Sequence, residues 1–390
     1  VEPMAAVTAP ERTAAQHQSL LHFVGNAGWS DQKVLAKVRE MVLPQIERHG
    51  SIEAWIIDDT GFPKKGKHSV GVARQYCGQV GKQDNCQVAV SLSVTTEKAS
   101  LPVAYRLYLP QSWIEDRQRR KKTGVPESIP FQTKPEIALD QIRRARERGI
   151  PQGVVLADAG YGADTAFRAE LTKLGMTYVA GIQSTATVWK PGQEPKPAPA
   201  RKANTGRPRK RLQRDANNQP VSVKELALWL PGEAWKKVTW RQGAKRKLQS
   251  RFAAVRVRPA PRDSWRCQPH PEEWLLIEWP AGESEPTKYW LSTLPSDLDL
   301  RELVHLAKHR WIIERDYQEL KQELGLGHYE GRGWRGFHHH ATLCIAAYGF
   351  LVAERSRFSP SAHVGDLGLP SPEPAPDFRP RGSPRSSRAA

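Results

Sequence analysis

Apolar residues recur every three or four positions between Asp299 and Gly327, a pattern that predicts one long amphipathic helix. The recurring apolar positions are Leu303, Leu306, Ile313, Tyr317, Leu320 and Leu324. Asp299 and Glu302 form a D-x-x-E capping box at the start of this segment, and Gly325 and Gly327 provide the stop.

The polar face of this predicted helix carries Arg310, Glu314 and Lys321. Each helical residue turns by about 100°, so steps of four and seven place the three side chains on nearly the same side. Taken alone, Arg310 and Glu314 are typical of an exposed ion pair that contributes about 0.3 kcal/mol. Acidic residues at the ends of two predicted strands favour a functional interpretation instead.

Two short apolar runs elsewhere in the chain end in carboxylates. Ala54–Ile57 is followed by Asp58 and Asp59, and Val154–Ala157 is followed by Asp158. Continuous apolar runs of this length are typical of strands that are buried on both faces. A carboxylate at such a strand end is costly unless it lies at an edge with a partner.

The remaining elements are predicted from the same kinds of pattern. They are helices within residues 1–50, a hairpin of Gln87–Thr96 and Leu101–Leu109, an irregular polar stretch at 110–133, a helix over Lys134–Arg148, a strand over Met176–Ile182, strands within 221–294 and an apolar helix over residues 336–355. Asp164 is the natural N-cap of the helix after the second aspartate strand, which leaves Asp158 without a capping role. His338, His339 and His340 open the apolar helix; three adjacent histidines cannot share one metal ion, so a structural or DNA-facing role is favoured.

Composition divides the chain into segments. They are a helical N-terminal segment (1–50), the first part of a catalytic core (51–185), a basic disordered linker (186–220), a β insertion (221–295), the second part of the core with the glutamate-bearing helix (296–356) and a disordered tail rich in Pro, Ser and Arg (357–390). The chain starts at Val1 rather than at methionine, which predicts a truncated N-terminal segment.

The chain has 390 residues and carries 59 Lys and Arg against 41 Asp and Glu, a formal net charge of +18. Such an excess predicts a polyanionic partner, of which nucleic acid is favoured. No stretch approaches the roughly 20 apolar residues that a membrane-spanning helix needs, so no membrane association is predicted. None of the four cysteines forms a C-x-x-C pair, which argues against a zinc site and predicts reduced thiols in the cytoplasm.

Two basic segments are candidate phosphate contacts. Lys64 and Lys65 follow the first aspartate strand, where a plain solvated turn is an equally good interpretation. Between Lys196 and Arg214 the sequence has eight basic residues and no acidic one. The candidate DNA contacts in this second segment are Arg207, Arg209, Lys210 and Arg211. Gly206-Arg207-Pro208 resembles an AT-hook, although a general phosphate-binding linker is the favoured interpretation.

Asp59, Asp158 and Glu314 come from separate predicted elements and form a candidate metal site. Mg²⁺ is a hard cation that is usually held by a few carboxylates together with substrate phosphate oxygens. Two such ions about 3.5–4 Å apart can activate a water on one side of a phosphodiester and stabilise the leaving oxygen on the other. Open α/β sheets bind ligands beyond the carboxyl ends of their strands, where the predicted helix can bring Glu314.

The helical motif resembles the signature Y-x2-R-x3-E-x6-K of DDE-type transposases of bacterial insertion sequences. Arg310, Glu314 and Lys321 match three of its four positions, and Ala307 occupies the tyrosine position. The amino-acid sequences of the motifs, together with ERDYQELKQELGLGHYEGRGWRG, are similar to those of the insertion sequence 701 branch. The resemblance covers roughly residues 1–356.

The two aspartate motifs extend this resemblance. IIDDTGFPKKG is similar to the first-aspartate motif, in which the catalytic residue precedes a threonine, and this assigns Asp59 rather than Asp58. VVLADAGYG is similar to the second-aspartate motif and assigns Asp158. The three motifs occur in the family's order, with a β insertion in the expected gap.

The resemblance implies a ribonuclease H-like α/β fold, a mixed sheet flanked by helices with a β-rich insertion before the last catalytic helix. It implies cut-and-paste transposition, in which an activated water frees a 3′-hydroxyl at the element's end and that hydroxyl attacks the target DNA. Asp59, Asp158 and Glu314 would hold two Mg²⁺ ions, for which Mn²⁺ can substitute. Arg310 and Lys321 would hold DNA phosphates near the cut.

The implied partners are double-stranded DNA, both terminal inverted repeats and target DNA, and a second copy of the chain on paired ends in a bacterial, nucleoid-associated protein. Trp290 is the candidate for stacking a flipped base, and a core strand position is at least as good an interpretation. Two alternatives stay open. One is another ribonuclease H-like DNA nuclease, which would lack the Arg310 and Lys321 signature. The other is a catalytically inactive or decayed transposase-derived DNA-binding protein.

Overall fold

The computed structural model describes residues 2–48, 50–193, 196, 212, 219–243, 247–261 and 269–357. The strands in this part of the chain are β1 (Ala54–Pro63), β2 (Ala73–Cys77), β3 (Lys82–Thr95), β4 (Ser100–Leu107), β5 (Val154–Ala157), β6 (Tyr178–Ile182), β7 (Thr187–Trp189), β8 (Val221–Ser222), β9 (Lys236–Gln242), β10 (Lys247–Pro259), β11 (Glu273–Trp279) and β12 (Lys288–Ser292). The α-helices are α1 (Glu2–Thr8), α2 (Thr13–Gly25), α3 (Asp31–Glu47), α4 (Gln111–Glu115), α5 (Arg117–Thr123), α6 (Lys134–Glu147), α7 (Ala159–Gly162), α8 (Thr165–Lys173), α9 (Val223–Trp229), α10 (Leu300–His309), α11 (Ile312–Gln318) and α12 (Trp334–Arg357). The candidate contacts Arg207, Arg209, Lys210 and Arg211, the predicted tail from residue 358 and Cys267 lie outside the described residues.

Strand β1 lies at the centre of a mixed sheet. It pairs antiparallel with β3 and parallel with β5, and β5 pairs in parallel with β6. Strand β4 pairs antiparallel with β3. Parallel neighbours need a crossover connection, which α6 provides before β5 and α7 and α8 provide before β6. The order β4-β3-β1-β5-β6 with flanking helices is ribonuclease H-like, so the predicted α/β class is confirmed.

The two faces of β1 face different helices because successive side chains of a strand point to opposite sides. Ala54 and Ile56 pack in one core cluster with residues of α10 and α11. Trp55 and Ile57 belong to the larger core, which includes the buried side of α6. The central strand is therefore covered on both faces, as its uninterrupted apolar run predicts.

The predicted β insertion continues the central sheet. Strand β12 pairs antiparallel with β6, β11 pairs with β12, and β10 pairs with β11 and with β9. Strands β7 and β8 also join this side through β10. Strand β7 lies within the segment predicted to be disordered (186–220), and its residues Val188 and Trp189 are buried. The prediction of disorder was therefore wrong for the start of that segment.

The prediction of a single helix over 299–327 was wrong. Helix α10 ends at His309, a turn follows at Arg310 and Trp311, and α11 starts at Ile312. The turn is tightened by hydrogen bonds to the third preceding residue, from Trp311 N–H to Lys308 O (3.2 Å) and from Glu314 N–H to Trp311 O (3.1 Å). A π-helical turn over Glu319–Glu323 then ends the segment before Gly325, whose φ is +72°.

The start of α10 agrees with the sequence in part. Asp299 is the N-cap, as predicted, and its side chain accepts a hydrogen bond from Arg301 N–H at 3.1 Å. The bond reaches the second helical residue instead of Glu302, so the observed cap differs from the predicted capping box.

The polar stretch at 110–133 is also more ordered than predicted, since it contains α4 and α5. Asp116 caps α5 by accepting a hydrogen bond from Arg119 N–H at 2.8 Å. Helix α5 reads RQRRKKT, so it has no apolar periodicity from which to recognise it. Among the described residues no helix has the length and apolar character of a membrane span.

The histidines of α12 have the predicted structural role. His339 contacts two backbone carbonyls, Val24 O and Trp29 O, each at 3.0 Å, and its ring stacks on Trp29. His338 Nδ1 lies 2.9 Å from Trp334 O, and His340 Nε2 lies 3.0 Å from Gly325 O. The described cysteines, Cys77, Cys86 and Cys344, are buried free thiols, as predicted.

Candidate active site

Asp58 and Asp59 occupy adjacent positions of β1 and therefore point to opposite faces of the sheet. Asp58 follows Ala54 and Ile56 on the face that α10 and α11 cover. Asp59 follows Trp55 and Ile57 on the face of α6. The two carboxylates therefore have separate surroundings, and their chemistry differs accordingly.

Arg310 joins Asp58 to Glu314. Its Nη1 lies 2.7 Å from Asp58 Oδ2, and its Nη2 lies 3.0 Å from Glu314 Oε1. Arg310 lies at the turn between α10 and α11, four residues before Glu314, and its guanidinium reaches both carboxylates. The Glu314 side chain is 68% exposed, whereas that of Asp58 is 14% exposed.

Asp158 lies level with Asp58 on the neighbouring parallel strand. Ile57 is paired with Ala157, the last residue of β5, so Asp58 and Asp158 are the next residues of the two neighbouring segments. Burial raises the pKa of Asp58 to about 7; the positive charge of Arg310 opposes this rise, and the negative charge of Asp158 adds to it. Arg310 in turn interacts electrostatically with Asp58, Asp158 and Glu314. The cluster of these four residues is here called the acidic cleft.

The prediction that Asp158 has no capping role was wrong, because Asp158 is the N-cap of α7. Its Oδ1 accepts hydrogen bonds from Gly160 N–H (2.9 Å) and Tyr161 N–H (3.3 Å) at the start of the short helix α7. Asp164 caps α8 as predicted, with bonds from Ala166 N–H and Phe167 N–H. These bonds orient the Asp158 carboxylate, and both use the same oxygen.

Asp59 binds a lysine on the opposite face. Lys134 Nζ, at the start of α6, lies 2.8 Å from Asp59 Oδ2, and the Tyr161 hydroxyl donates to the same oxygen at 3.4 Å. Of the three residues predicted as a triad, the structure groups Asp158 and Glu314 around Arg310 and brings Asp58, instead of Asp59, to them. Sequence reasoning assigned no role to Lys134 or Tyr161, although Tyr161 lies within the VVLADAGYG motif.

Lys321 points at the end of β1. Its ammonium donates to Gly61 O at 2.7 Å and to Gln79 Oε1 at 3.2 Å, and it lies 4.8 Å from the centre of the Phe62 ring. Burial lowers the pKa of Lys321 to about 8. Lys321 therefore lies near the carboxyl-terminal end of β1, and among the hydrogen bonds of the described residues it has none to Glu314.

The other predicted contacts differ in exposure. The Lys64 ammonium donates to Tyr329 O, and burial lowers its pKa, whereas Lys65 is exposed. Trp290 is 9% exposed and packs in the core cluster beneath α10, and Lys308 Nζ lies 5.4 Å from its ring centre. This placement supports the interpretation of Trp290 as a core strand residue.

The acidic cleft has the donor set of a site for a hard divalent cation, since carboxylate oxygens are its preferred ligands. The raised pKa of Asp58 reflects burial and the neighbouring charge of Asp158, and a cation would relieve both effects. The guanidinium of Arg310 supplies positive charge between Asp58 and Glu314. To admit a cation between those two carboxylates, Arg310 must move away from at least one of them.

The sheet is mixed, and its carboxylates lie at the ends of two parallel strands and on a nearby helix. This combination is typical of a class of nucleases. Comparison with known proteins identifies the family. A family model described as DDE superfamily endonuclease matches residues 1–247, more than half of the chain. The chain belongs to the DDE superfamily endonucleases. The matched range contains both aspartate-bearing strands and ends before the helix of Glu314.

One relative is described as a probable transposase for insertion sequence element IS701, from Microchaete diplosiphon. It is 31% identical to this chain over 168 residues. The alignment covers 43% of this chain and 41% of the relative, so the similarity spans less than half of either protein. The predicted resemblance of the chain to this family is thereby confirmed.

Proposed function

We propose that this protein is a DNA transposase similar to that of insertion sequence IS701, which cuts and joins double-stranded DNA by metal-dependent phosphoryl transfer. The observation that carries the proposal is Arg310, which bonds Asp58 on β1 and Glu314 on α11 and lies within electrostatic reach of Asp158. Three carboxylates from separate elements thus lie around one guanidinium. Carboxylates that converge in this way can hold the divalent metal ions of a nuclease. The family membership and the IS701 relative support the same conclusion.

We assign the catalytic carboxylates to Asp58, Asp158 and Glu314, with Asp58 in place of the Asp59 that the motif suggests. This assignment is supported by the face of the sheet on which each carboxylate lies. Asp58 faces the helix of Glu314, and Asp59 forms an ion pair with Lys134 on the opposite face. In this proposal Asp59 is a positioning residue, because its ion pair ties the start of α6 to β1.

The three carboxylates would hold two Mg²⁺ ions, for which Mn²⁺ can substitute, and bound ions would activate a water and stabilise the leaving oxygen of the cut strand. The residues of the chain have their own tasks. The backbone N–H groups at the start of α7 hold the Asp158 carboxylate in one orientation. Arg310 offers a planar fork of donors, which is suited to a phosphate of the DNA once it leaves a carboxylate.

Lys321, Lys64 and Lys65 are proposed phosphate contacts. With a pKa of about 8, Lys321 is mostly charged near pH 7 and is placed at the carboxyl-terminal half of β1. Lys65 is exposed beside the partly buried Lys64, so this pair can meet a DNA backbone that enters the cleft. The proposed DNA partners are the terminal inverted repeats of the element and the target DNA. We also propose that the protein acts as a homodimer on paired DNA ends and that it associates with the nucleoid.

The assignment of the first aspartate is tested by comparing Asp58→Asn and Asp59→Asn in a plasmid-nicking assay with Mg²⁺ or Mn²⁺. We expect Asp58→Asn, like Asp158→Asn, to lower the nicking rate by roughly a hundredfold or more, because a metal ligand is lost. Asp59→Asn should keep most of the activity. Circular dichroism and thermal melting of each variant check that the fold is retained.

Each outcome of this comparison has a clear meaning. If Asp59→Asn is inactive and Asp58→Asn is active, the assignment returns to Asp59. If the unchanged protein nicks no DNA with either ion but binds it, the catalytically inactive DNA-binding protein is the better description. Nicking that gives no joined product with element-end DNA would favour another nuclease of the same fold.

A further inference from the structure

A second group of potential ligands lies away from the acidic cleft. Among the described residues, the ligand atoms of Glu53, His305 and His309 all lie within 4.8 Å of one another. His305 and His309 are four residues apart on α10, so both side chains project from the same face of the helix. Glu53 directly precedes β1 and faces them, with His305 Nε2 3.7 Å from its Oε2.

The backbone around these residues is well held. Glu53 N–H donates to Thr95 O at 2.8 Å, and Glu53 O accepts from Val154 N–H at 2.8 Å, so the ladders of both neighbouring strands continue through this residue. His309 is 4% exposed, and its Nε2 lies 3.0 Å from the Thr95 hydroxyl. The backbone ladders therefore hold Glu53 in place, and the hydrogen bond with Thr95 holds the ring of His309. Ligands of protein metal sites are oriented by neighbouring hydrogen bonds of this kind.

The oxygen of Glu53 that faces the histidines lacks a hydrogen-bond partner. Its Oε2 is buried and accepts no hydrogen bond within the part of the chain that the structure describes. Buried polar atoms normally have a partner, and an exception calls for an explanation such as a bound ion. This oxygen, directed at two imidazoles, is an independent sign that the group holds a ligand.

The chemistry of the group favours a borderline-soft metal over magnesium. Two imidazole nitrogens and one carboxylate oxygen form a ligand set typical of Zn²⁺, whereas Mg²⁺ prefers oxygen ligands alone. With metal–ligand bonds of about 2.0–2.1 Å, tetrahedral ligands lie about 3.4 Å apart. A spread of 4.8 Å therefore closes with a shift of about 1.4 Å or less, which the partly exposed side chains of His305 and Glu53 can supply.

The group is distinct from the acidic cleft. Glu53 and Asp58 lie five positions apart along an extended strand, which corresponds to about 16 Å. The group contains no cysteine, so it does not need the C-x-x-C pair that the chain lacks.

We propose that Glu53, His305 and His309 form a zinc-binding site that fastens α10 to the start of β1. The fourth position of the ion is left to water. His309 is followed directly by Arg310, so a metal at this site holds the end of α10 from which the guanidinium reaches the acidic cleft. The proposed site is thus a structural clamp with its own metal, separate from the ions used for catalysis, and it holds whether or not the protein proves to be a transposase.

The test uses the full chain, stripped of metal with a chelator and then titrated with Zn²⁺ by calorimetry, and with Co²⁺ by visible absorption. We expect one equivalent of Zn²⁺ to bind and to raise the melting temperature, and Co²⁺ to give the bands of a four-coordinate nitrogen and oxygen site. His305→Ala and Glu53→Gln should each weaken Zn²⁺ binding at least tenfold. His22→Ala, which removes an exposed histidine of α2, is the matched control and should bind Zn²⁺ as the unchanged protein does.

Several results would overturn the proposal. They are a failure of the unchanged protein to bind Zn²⁺, equal binding by His305→Ala and the unchanged protein, and a Co²⁺ spectrum dominated by thiolate charge transfer. Asp158→Asn separates the two sites: it should abolish nicking and leave Zn²⁺ binding unchanged. Loss of Zn²⁺ binding in Asp158→Asn would place the ion in the acidic cleft and contradict a separate site.

Discussion

Two adjacent aspartates show how far side-chain chemistry depends on the neighbours that a fold supplies. Asp58 binds Arg310 and lies near Asp158, whereas Asp59 binds Lys134. The sequence places a carboxylate at the end of the strand, but the choice between positions 58 and 59 depends on which face meets α10 and α11. That choice depends on the pairing of β1 with its neighbours, which a short motif does not encode.

The raised pKa of Asp58 predicts a pH dependence of stability. Its value is about 7 in the folded protein against an ordinary value of 3.8, so the folded state binds the proton more tightly than the unfolded state does. The stability that this proton provides is complete below about pH 4 and is lost as the pH rises towards 7. Each pKa unit corresponds to about 1.4 kcal/mol, so even half of the shift amounts to about 2 kcal/mol.

Asp58→Asn removes this titration. We expect the variant, without divalent cations, to be more stable than the unchanged protein at pH 8 by about 2 kcal/mol, and to lose that advantage by pH 4. Urea unfolding at the two pH values measures the difference. A stability difference that is the same at both pH values would show that Asp58 titrates normally in the folded protein.

At the scale of elements, the segment after Asp299 illustrates what periodicity can and cannot predict. The prediction that this segment is mostly helical is correct, because the spacing of its apolar residues marks the helix face that packs on the core. The break at Arg310 and Trp311 depends on hydrogen bonds to the third preceding residue and on packing of α10 and α11 against different strands. Helix α11 contacts β1 and β4, and α10 contacts β5, β6, β9 and β10, so the turn serves a tertiary arrangement that local sequence does not reveal.

Asp316 fastens α11 to the rest of the core. It is fully buried, and its Oδ1 accepts hydrogen bonds from the Ser100 hydroxyl at 2.6 Å and the Tyr348 hydroxyl at 2.8 Å. Asp316→Ala leaves both buried hydroxyls without this acceptor, so we expect a loss of roughly 2–3 kcal/mol in the free energy of unfolding.

Denaturant unfolding measures this loss, and Glu323→Ala, at an exposed position of the following π-helical turn, is the control. The control should change stability by about 0.5 kcal/mol or less. An Asp316→Ala variant as stable as the control would mean that Ser100 and Tyr348 find other partners.

For the whole molecule, the sequence supported the order of the core strands better than the position of the site. Continuous apolar runs marked β1 and β5, and β-branched residues marked β3 and β4. By contrast, β2 and α5 lack an apolar pattern and escaped prediction. The group of Glu53, His305 and His309 joins positions about 250 residues apart, and only the folded sheet shows that α10 crosses the start of β1.

The net charge of +18 predicts DNA binding that weakens steeply with salt. The logarithm of the affinity should fall against the logarithm of salt concentration with a slope of about −0.9 for each phosphate neutralised. Replacing Lys64 and Lys65 by Gln should reduce the magnitude of that slope by about 1–2. Fluorescence anisotropy with a duplex at several salt concentrations measures it.

The matched control for this experiment is Lys37→Gln, an exposed lysine of α3 paired with Glu40. Its slope should equal that of the unchanged protein. Equal slopes for the double variant and the control would remove Lys64 and Lys65 from the proposed DNA contacts.

The pairing of β6 with β12 has a consequence for synthesis. Strand β6 ends at Ile182 and its outer neighbour begins at Lys288, so residues 183–287 must be translated before that edge is covered. At about 5–20 residues per second, the ribosome needs roughly 5–20 s for this interval. During that time an apolar strand edge is open to pairing with other nascent chains, which makes it a target for chaperones. The strands that lead into Asp58 and Asp158 are thus made early, the sheet around them is completed late, and Arg310 and Glu314 are translated after β12.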